Sequence, residues 1–315
     1  MFKKDMENDY VNDLSLFNES KEEAVAQKKI DIKILIIGAL FGSVLTFIIT
    51  VTLLYIGVNN SEWGKMYVKQ NEIQNCIEQY YLYDEEVKTI SDSVCAAMVN
   101  ALKDDYSMYY TEEQYYNIMN RFDETDTMDY YMLEGTTYGY LKIHSFSNQS
   151  VEEFKKALLW LQEMNAEAFV IDLRGNSGGI IESTIGCLDC LLPEQEILKV
   201  IYANNREEII SSDETGFVLP CVVLIDETTI SAAEVFAGVL KKSGYACLMG
   251  RSTYGKGVMQ KYVPLRDNSA LRLTYAEYVF CDGTKNNFGI TPNQPVEKMD
   301  NIIDSAINYL KMRSK

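Results

Sequence analysis

An α/β fold is predicted for the larger, C-terminal part of this 315-residue chain, on three observations. Beyond Gly135, runs rich in β-formers alternate with runs of helical period, the pattern of strands joined through helices. The segments AFVIDLR (168–174) and FVLPCVVLID (217–226) are apolar runs of strand length. A glycine-bearing loop, Gly175-Asn176-Ser177-Gly178-Gly179, joins the first of them to a helix.

Taken from the start, residues 1–33 are polar, acidic and without periodicity, which predicts a disordered tail. Residues 34–58, ILIIGALFGSVLTFIITVTLLYIGV, hold no charge. At 1.5 Å per residue they span a hydrocarbon core of about 30 Å as one transmembrane helix. Lys28, Lys29 and Lys33 precede this run and only Lys65 follows it closely, so the positive-inside rule places the tail in the cytoplasm and the rest outside. The expected location is the cell membrane, single-pass, with an extracytoplasmic working part. A cleaved signal peptide fits less well, because the leader is long and acidic and no A-x-A pattern follows the apolar run.

Residues 63–122 form a predicted helical module and candidate dimerisation element. Apolar residues recur at helical spacing through MYVKQNEIQNCIEQYYL and VKTISDSVCAAMVNALKD, and Thr111, followed by EEQ, is an N-cap for a third helix. The core is expected over 137–315. It starts with strand TTYGYLKIHSF, helix VEEFKKALLWLQEM capped by Ser150, and strand AFVIDLR. After the glycine loop come a helix running to Pro193, two strands across EILKVIYANNREEII, the run FVLPCVVLID and helix SAAEVFAGVLKK. Strands YACLMG, VMQKYVPL and ALRLTYAEYVF and the helix DNIIDSAINYLKM complete it.

Composition excludes several functions. A formal net charge of −17 argues against nucleic acid, whose binding draws on clustered Lys and Arg. Seven cysteines leave at least one unpaired, and Cys221 and Cys247 lie in apolar runs where a thiol packs as a small hydrophobe. Cys187 and Cys190 form a C-x-x-C, but with no second such pair and a single His in the chain, no metal site and no cofactor are expected.

That single His, His144, alternates with its neighbours in LKIHSF as a strand residue does, so a hydrolase on this chain needs another base. Ser231 follows the strand FVLPCVVLI and the loop DETTI and begins the helix AAEVFAGVL. There its hydroxyl shares the helix's positive end, as a nucleophile beside an oxyanion site would. Ser231 with Glu234 is equally a capping box, S-x-x-E. Lys256 sits in the glycine-rich turn GRSTYGKGVMQ, a surface charge unless burial lowers its pKa by a few units and makes it a base. Gly250–Lys256 also matches the G-x-x-x-x-G-K of a phosphate loop. It lacks the following Ser or Thr, and VMQKYV alternates as a strand where a helix is needed. Asp172 and Arg174 are read as a pair that holds the glycine loop.

Together these segments resemble the carboxyl-terminal processing peptidases, or tail-specific proteases, of bacteria. The likeness rests on DDYSMYYTEEQ (104–114), YGYLKIHSFS (138–147), DLRGNSGG (172–179), TISAAEVFAGVL (229–240), STYGKGVMQ (252–260) and FGITPNQPV (288–296), in that order. The resemblance implies a crotonase/ClpP-like core and a serine peptidase acting on protein or peptide substrates. It places the nucleophile on Ser231, the general base on Lys256, and the lysine's orientation on Gln260. It places the oxyanion donors on the backbone N–H groups of Ala232 and Gly178, with Gly179 as the further candidate. The chain departs from the family between its DxYSxYxT segment and first core strand, where roughly fifteen residues stand in place of a PDZ domain. Two other readings share the fold: a catalytically silent membrane-anchored scaffold, and a crotonase-like acyl-transfer enzyme. Intact Ser231, Lys256 and Gln260 argue against the first, and the outward topology against the second.

Overall fold

In the computed structural model, which describes residues 32–83, 87–123, 125–213, 216–296 and 298–313, the chain divides into two units, one up to residue 85 and one from 86 onward. The predicted tail, residues 1–31, lies outside the described residues. The first unit holds α1 (Ile32–Asn60) and α2 (Glu62–Tyr80). Helix α1 exposes apolar side chains on every side from Ile34 to Ile56, and is long and apolar enough to cross a membrane. Helix α2 starts at Ser61, whose hydroxyl accepts the Gly64 N–H at 2.9 Å. The boundary between units falls inside the span 63–122 read as one helical module.

The second unit opens with α3 (Val87–Asn100), β1 (Met108–Tyr110) and α4 (Glu112–Phe122). Thr111 and Gln114 form the predicted capping box at the start of α4. Strand β1 pairs antiparallel with β10 (Ala270–Phe280), Met108 opposite Arg272, so the stretch just before the module's third predicted helix is a strand of the core. Only three residues pair there, too few to show a period. A second unpredicted strand, β2 (Met128–Met132), lies in the short interval before the core and runs antiparallel to β3 (Tyr138–Ile143).

The main sheet continues through β4 (Ala168–Asp172), β7 (Cys221–Ile225), β8 (Ala246–Gly250) and the short β11 (Gln294–Pro295), in the order β11-β8-β7-β4-β3-β2, all parallel except β2. Each of β4 and β7 is buried along its whole length. Phe169, Ile171, Val223 and Ile225 face one hydrophobic cluster while Val170, Val222 and Leu224 face another, which is why these strands read as unbroken apolar runs. The first cluster takes its helical side from α5 (Ser150–Glu163), α6 (Ile181–Asp189) and α7 (Ala232–Lys242), through Phe154, Leu161, Leu188, Phe236 and Leu240. The second packs under α8 (Ile302–Arg313) through Ile302, Ala306 and Leu310. Ser150 is not the cap of α5 but its first residue, the cap position being Gln149, and its hydroxyl accepts the Ser147 N–H at 2.8 Å.

A second, antiparallel sheet is built on β10, with β5 (Glu196–Tyr202) beside it, β6 (Glu207–Ser211) beyond, and β9 (Val258–Pro264) on its other edge. It carries β1 and faces the ends of β3, β4 and β7 with the residues that wall the cavity described next.

Candidate active site

Three connections leave the carboxyl ends of parallel strands at one place: Ser145 and Phe146 after β3, the glycine loop after β4, and the turn to Ser231 after β7. Ligand sites of open parallel sheets form at such ends, where backbone groups are released from the ladder.

The glycine loop is fastened at its base. Asp172, 1 % exposed, takes the Arg174 guanidinium at 2.6 and 2.9 Å and the Tyr140 hydroxyl at 2.6 Å, as the predicted pairing with Arg174 requires. Burial alone would raise this carboxyl, but the hydrogen bonds from Arg174 and Tyr140 hold it below the usual range. Asn176, fully buried, donates from its amide to the Ile143 carbonyl at 2.9 Å, accepts the Gly178 N–H at 2.8 Å on Oδ1, and accepts the Ile230 N–H on its backbone oxygen at 3.0 Å. One residue thus binds β3, the loop and the approach to Ser231. Gly179 has φ +143°, and a Cβ there would stand 2.1 Å from the Phe146 carbonyl oxygen, so only glycine lets the loop lie on that strand end.

Asn176 engages the N–H of Gly178, one of the expected oxyanion donors. The backbone N–H groups of Gly179 and Ala232 have no acceptor among the described residues, whereas that of Gly178 does. Gly178 serves by closeness: a Cβ on it would come 2.9 Å from the Ile230 oxygen and 3.1 Å from the Ala232 nitrogen.

Ser231 has φ 59° and ψ −120°, a conformation that costs an L-residue on the order of 1–3 kcal/mol and persists only where neighbours enforce it. The enforcement comes from Glu234. The Ser231 N–H donates to the Glu234 carboxylate at 2.8 Å, one half of the predicted capping box. The Glu234 N–H already donates to the Ser231 carbonyl at 2.8 Å, so the hydroxyl is not required as its acceptor.

The Glu234 carboxylate, fully buried, does more than cap. It also accepts the Thr253 hydroxyl at 2.6 Å, the Gly255 N–H at 2.6 Å and the Lys256 N–H at 2.9 Å. Lys256 is held on its other side as well, since its carbonyl accepts the Tyr278 hydroxyl at 3.0 Å. Its half-buried ammonium stands 5.1 Å from the Tyr106 ring centre. Burial, with the Arg272 charge adding to it, pushes the Lys256 amine from its ordinary 10.5 down to about 8, against the pull of Glu234 and Asp104. Gln260 lies on the same wall, but its amide donates to the Thr274 hydroxyl at 3.3 Å instead of meeting the lysine.

Ser231, Ala232, Gly178, Gly179, Lys256 and Gln260 all line one cavity of about 670 Å³. Sequence reasoning brought these six together and missed two others. Glu234 was legible only as a cap, because its further partners lie 19–22 residues away. Asn176 was legible only as a loop residue. His144, half-exposed, pairs with Asp129 at 2.7 Å and is not among the cavity residues, in keeping with a structural reading. No group of three or more His, Cys, Asp or Glu residues able to hold a metal occurs among the described residues.

A family model described as Peptidase family S41 matches residues 137–296. A carboxyl-terminal-processing protease of Synechocystis sp. is 32 % identical over 166 residues, which are 52 % of this chain and 39 % of that protein. The carboxy-terminal processing protease CtpA of Bacillus subtilis is 32 % identical over 174 residues, 54 % of this chain and 37 % of that protein. The matches therefore span less than half the length of these relatives. Among solved structures, a lipoprotein from Streptococcus agalactiae shares the fold at a TM-score of 0.62 and 16 % identity, over 83 % of this chain and 95 % of that one.

Proposed function

The chain belongs to peptidase family S41, and from that premise we propose that it is a membrane-anchored, extracytoplasmic serine endopeptidase working through Ser231 and Lys256. The observation that carries the proposal is the meeting, in one cavity, of a serine held in a strained backbone conformation and a lysine whose amine is lowered to about 8. That lowering raises the neutral, proton-accepting fraction at pH 7 from about 3 in 10,000 to about a tenth. A base poised near the working pH is what general base catalysis needs.

In this mechanism neutral Lys256 takes the Ser231 hydroxyl proton as Oγ attacks the scissile carbonyl. The tetrahedral oxyanion accepts hydrogen bonds from the free N–H groups of Ala232 and Gly179, at the positive end of α7. Lys256, now an ammonium, returns the proton to the leaving amine, and the acyl-enzyme remains. Water, deprotonated by Lys256, then attacks the ester and restores Ser231.

Helix α1 supplies the anchor, and the excess of lysines before it orients residues beyond it outward. Residues 125–137 hold the single strand β2 between α4 and β3, so peptide recognition falls to the cavity wall itself.

The test is labelling of the full chain in detergent with a neutral fluorophosphonate, comparing wild type with Ser231→Ala and Lys256→Ala. Labelling of wild type and loss of at least about 100-fold in both variants is expected. Normal labelling of Lys256→Ala at neutral pH would remove the lysine as base, and a folded wild type that resists the reagent would favour a scaffold.

A further inference from the structure

In a chain with 46 acidic and 29 basic residues, most cations should find a carboxylate, and many do: Lys199 pairs with Glu207, Arg251 with Glu227 and Lys285 with Glu277. Others do not, and several of these gather at the cavity. Arg121 from α4, Lys261 from β9 and Arg272 from β10 line it beside Lys256, against one carboxylate, Glu182. None of those three has an ion-pair partner among the described residues.

Arg272 and Lys261 lie against neutral groups. Arg272 donates from Nε to the Tyr106 carbonyl at 2.9 Å and lies 5.6 Å over the Tyr110 ring, which leaves its remaining N–H donors uncommitted. Lys261 holds its ammonium 5.8 Å from the Tyr275 ring. Asp104, whose carboxylate is drawn to the Arg272 charge, accepts the Ser107 hydroxyl and the Tyr106 N–H and is not among the cavity residues. Same-sign charges along a cleft raise the local concentration of an oppositely charged ligand and reject one of like sign. Maintaining such a cleft inside a molecule of net charge −17 sets its field apart from the surrounding surface.

We propose that this cleft selects peptide substrates that carry Asp or Glu side chains within a few residues of the bond at Ser231, the carboxylates being received by Arg121, Lys261 and Arg272. The proposal rests on the peptidase reading of the cavity and adds its substrate class. Arg272 and Lys261, at successive register positions of adjacent strands and so on opposite faces of them, and Arg121, from the helix that follows β1, would meet acidic side chains on different sides of the bound peptide.

The experiment uses two pools of random, C-terminally amidated decapeptides of equal length, fluorescent and internally quenched, one with two Glu residues and the other with two Lys residues. Amidation removes the terminal carboxylate, so that only side chains are compared. The full wild-type chain should cleave the Glu pool at least about tenfold faster, equivalent to about 1.4 kcal/mol. That ratio should fall with added salt and drop below about twofold in Arg121→Gln/Lys261→Gln, whose folding is checked by circular dichroism. The affinity of both pools for the Ser231→Ala chain, read by anisotropy, should show the same preference. Equal cleavage and equal binding of the two pools, in a protein that fluorophosphonate labels, overturn the proposal and leave the peptidase reading standing. Acid-selective binding to a protein that neither labels nor cleaves sustains the selectivity and removes the peptidase. A preference unchanged in the double variant overturns the assignment to these side chains.

Discussion

At the residue scale the question is which protonation state Lys256 holds when Ser231 reacts. Its amine is lowered, so the neutral form gains as pH rises and the ammonium gains as pH falls. Labelling of Ser231 should therefore climb about tenfold per pH unit below the midpoint, bend near pH 8 and be flat above it, with stability followed in parallel to exclude unfolding. Lys256→Arg keeps the charge and the reach but cannot lose its proton in this range, so it should remain unlabelled throughout. A flat profile from pH 6 to 9, or an active arginine variant, would mean that another group takes the proton. The proposed oxyanion donors illustrate how much of a residue's role is readable in advance. Ala232 is what the family resemblance implies, whereas preferring Gly179 to Gly178 depends on the Asn176 amide oxygen having taken the Gly178 N–H.

Among elements, the union that matters is between the start of α7 and the glycine-rich turn before β9. One buried carboxylate, Glu234, receives four donors and joins the two, so the strained Ser231 and the Lys256 backbone are set by the same group. Glu234→Gln keeps the size but turns an NH₂ toward donors. It should cost on the order of 1–3 kcal/mol in denaturant unfolding and slow fluorophosphonate labelling by tenfold or more in protein that is still folded. Unchanged stability together with unchanged labelling would show that the tie between these elements is made elsewhere. The helices and long strands of the core were legible because each repeats its period over several turns or covers a full apolar run. Strands β1 and β2 were not, since three and five residues paired at an edge leave too short a pattern.

For the whole molecule, the proposed anchor and the cleft impose a direction: α1 in the bilayer, the cavity outside. Cys76 and Cys281, both exposed and both beyond α1, report on it. In intact cells a membrane-impermeant maleimide should modify the chain at these cysteines, and alkaline carbonate should leave the chain in the membrane fraction. Modification only after lysis would reverse the orientation, and release by carbonate would remove the span. Surface charge and cleft charge have opposite signs on this chain, a contrast that total composition hides because it averages over position.

The amino-acid sequence by itself determined the apolar helix, the α/β alternation and the glycine loop with its Asp172–Arg174 brace. Each of these is set by neighbours a few residues away, through periodicity, capping or the steric freedom of glycine. Tertiary structure alone decided what depends on burial and on distant partners. It lowered the Lys256 amine, made Glu234 a clamp as well as a cap, turned Gln260 toward Thr274, and left Ala232 and Gly179 with free donors. Those outcomes are competitions for hydrogen bonds and solvent among groups far apart in the chain, and they are resolved only once the strands that carry them lie side by side.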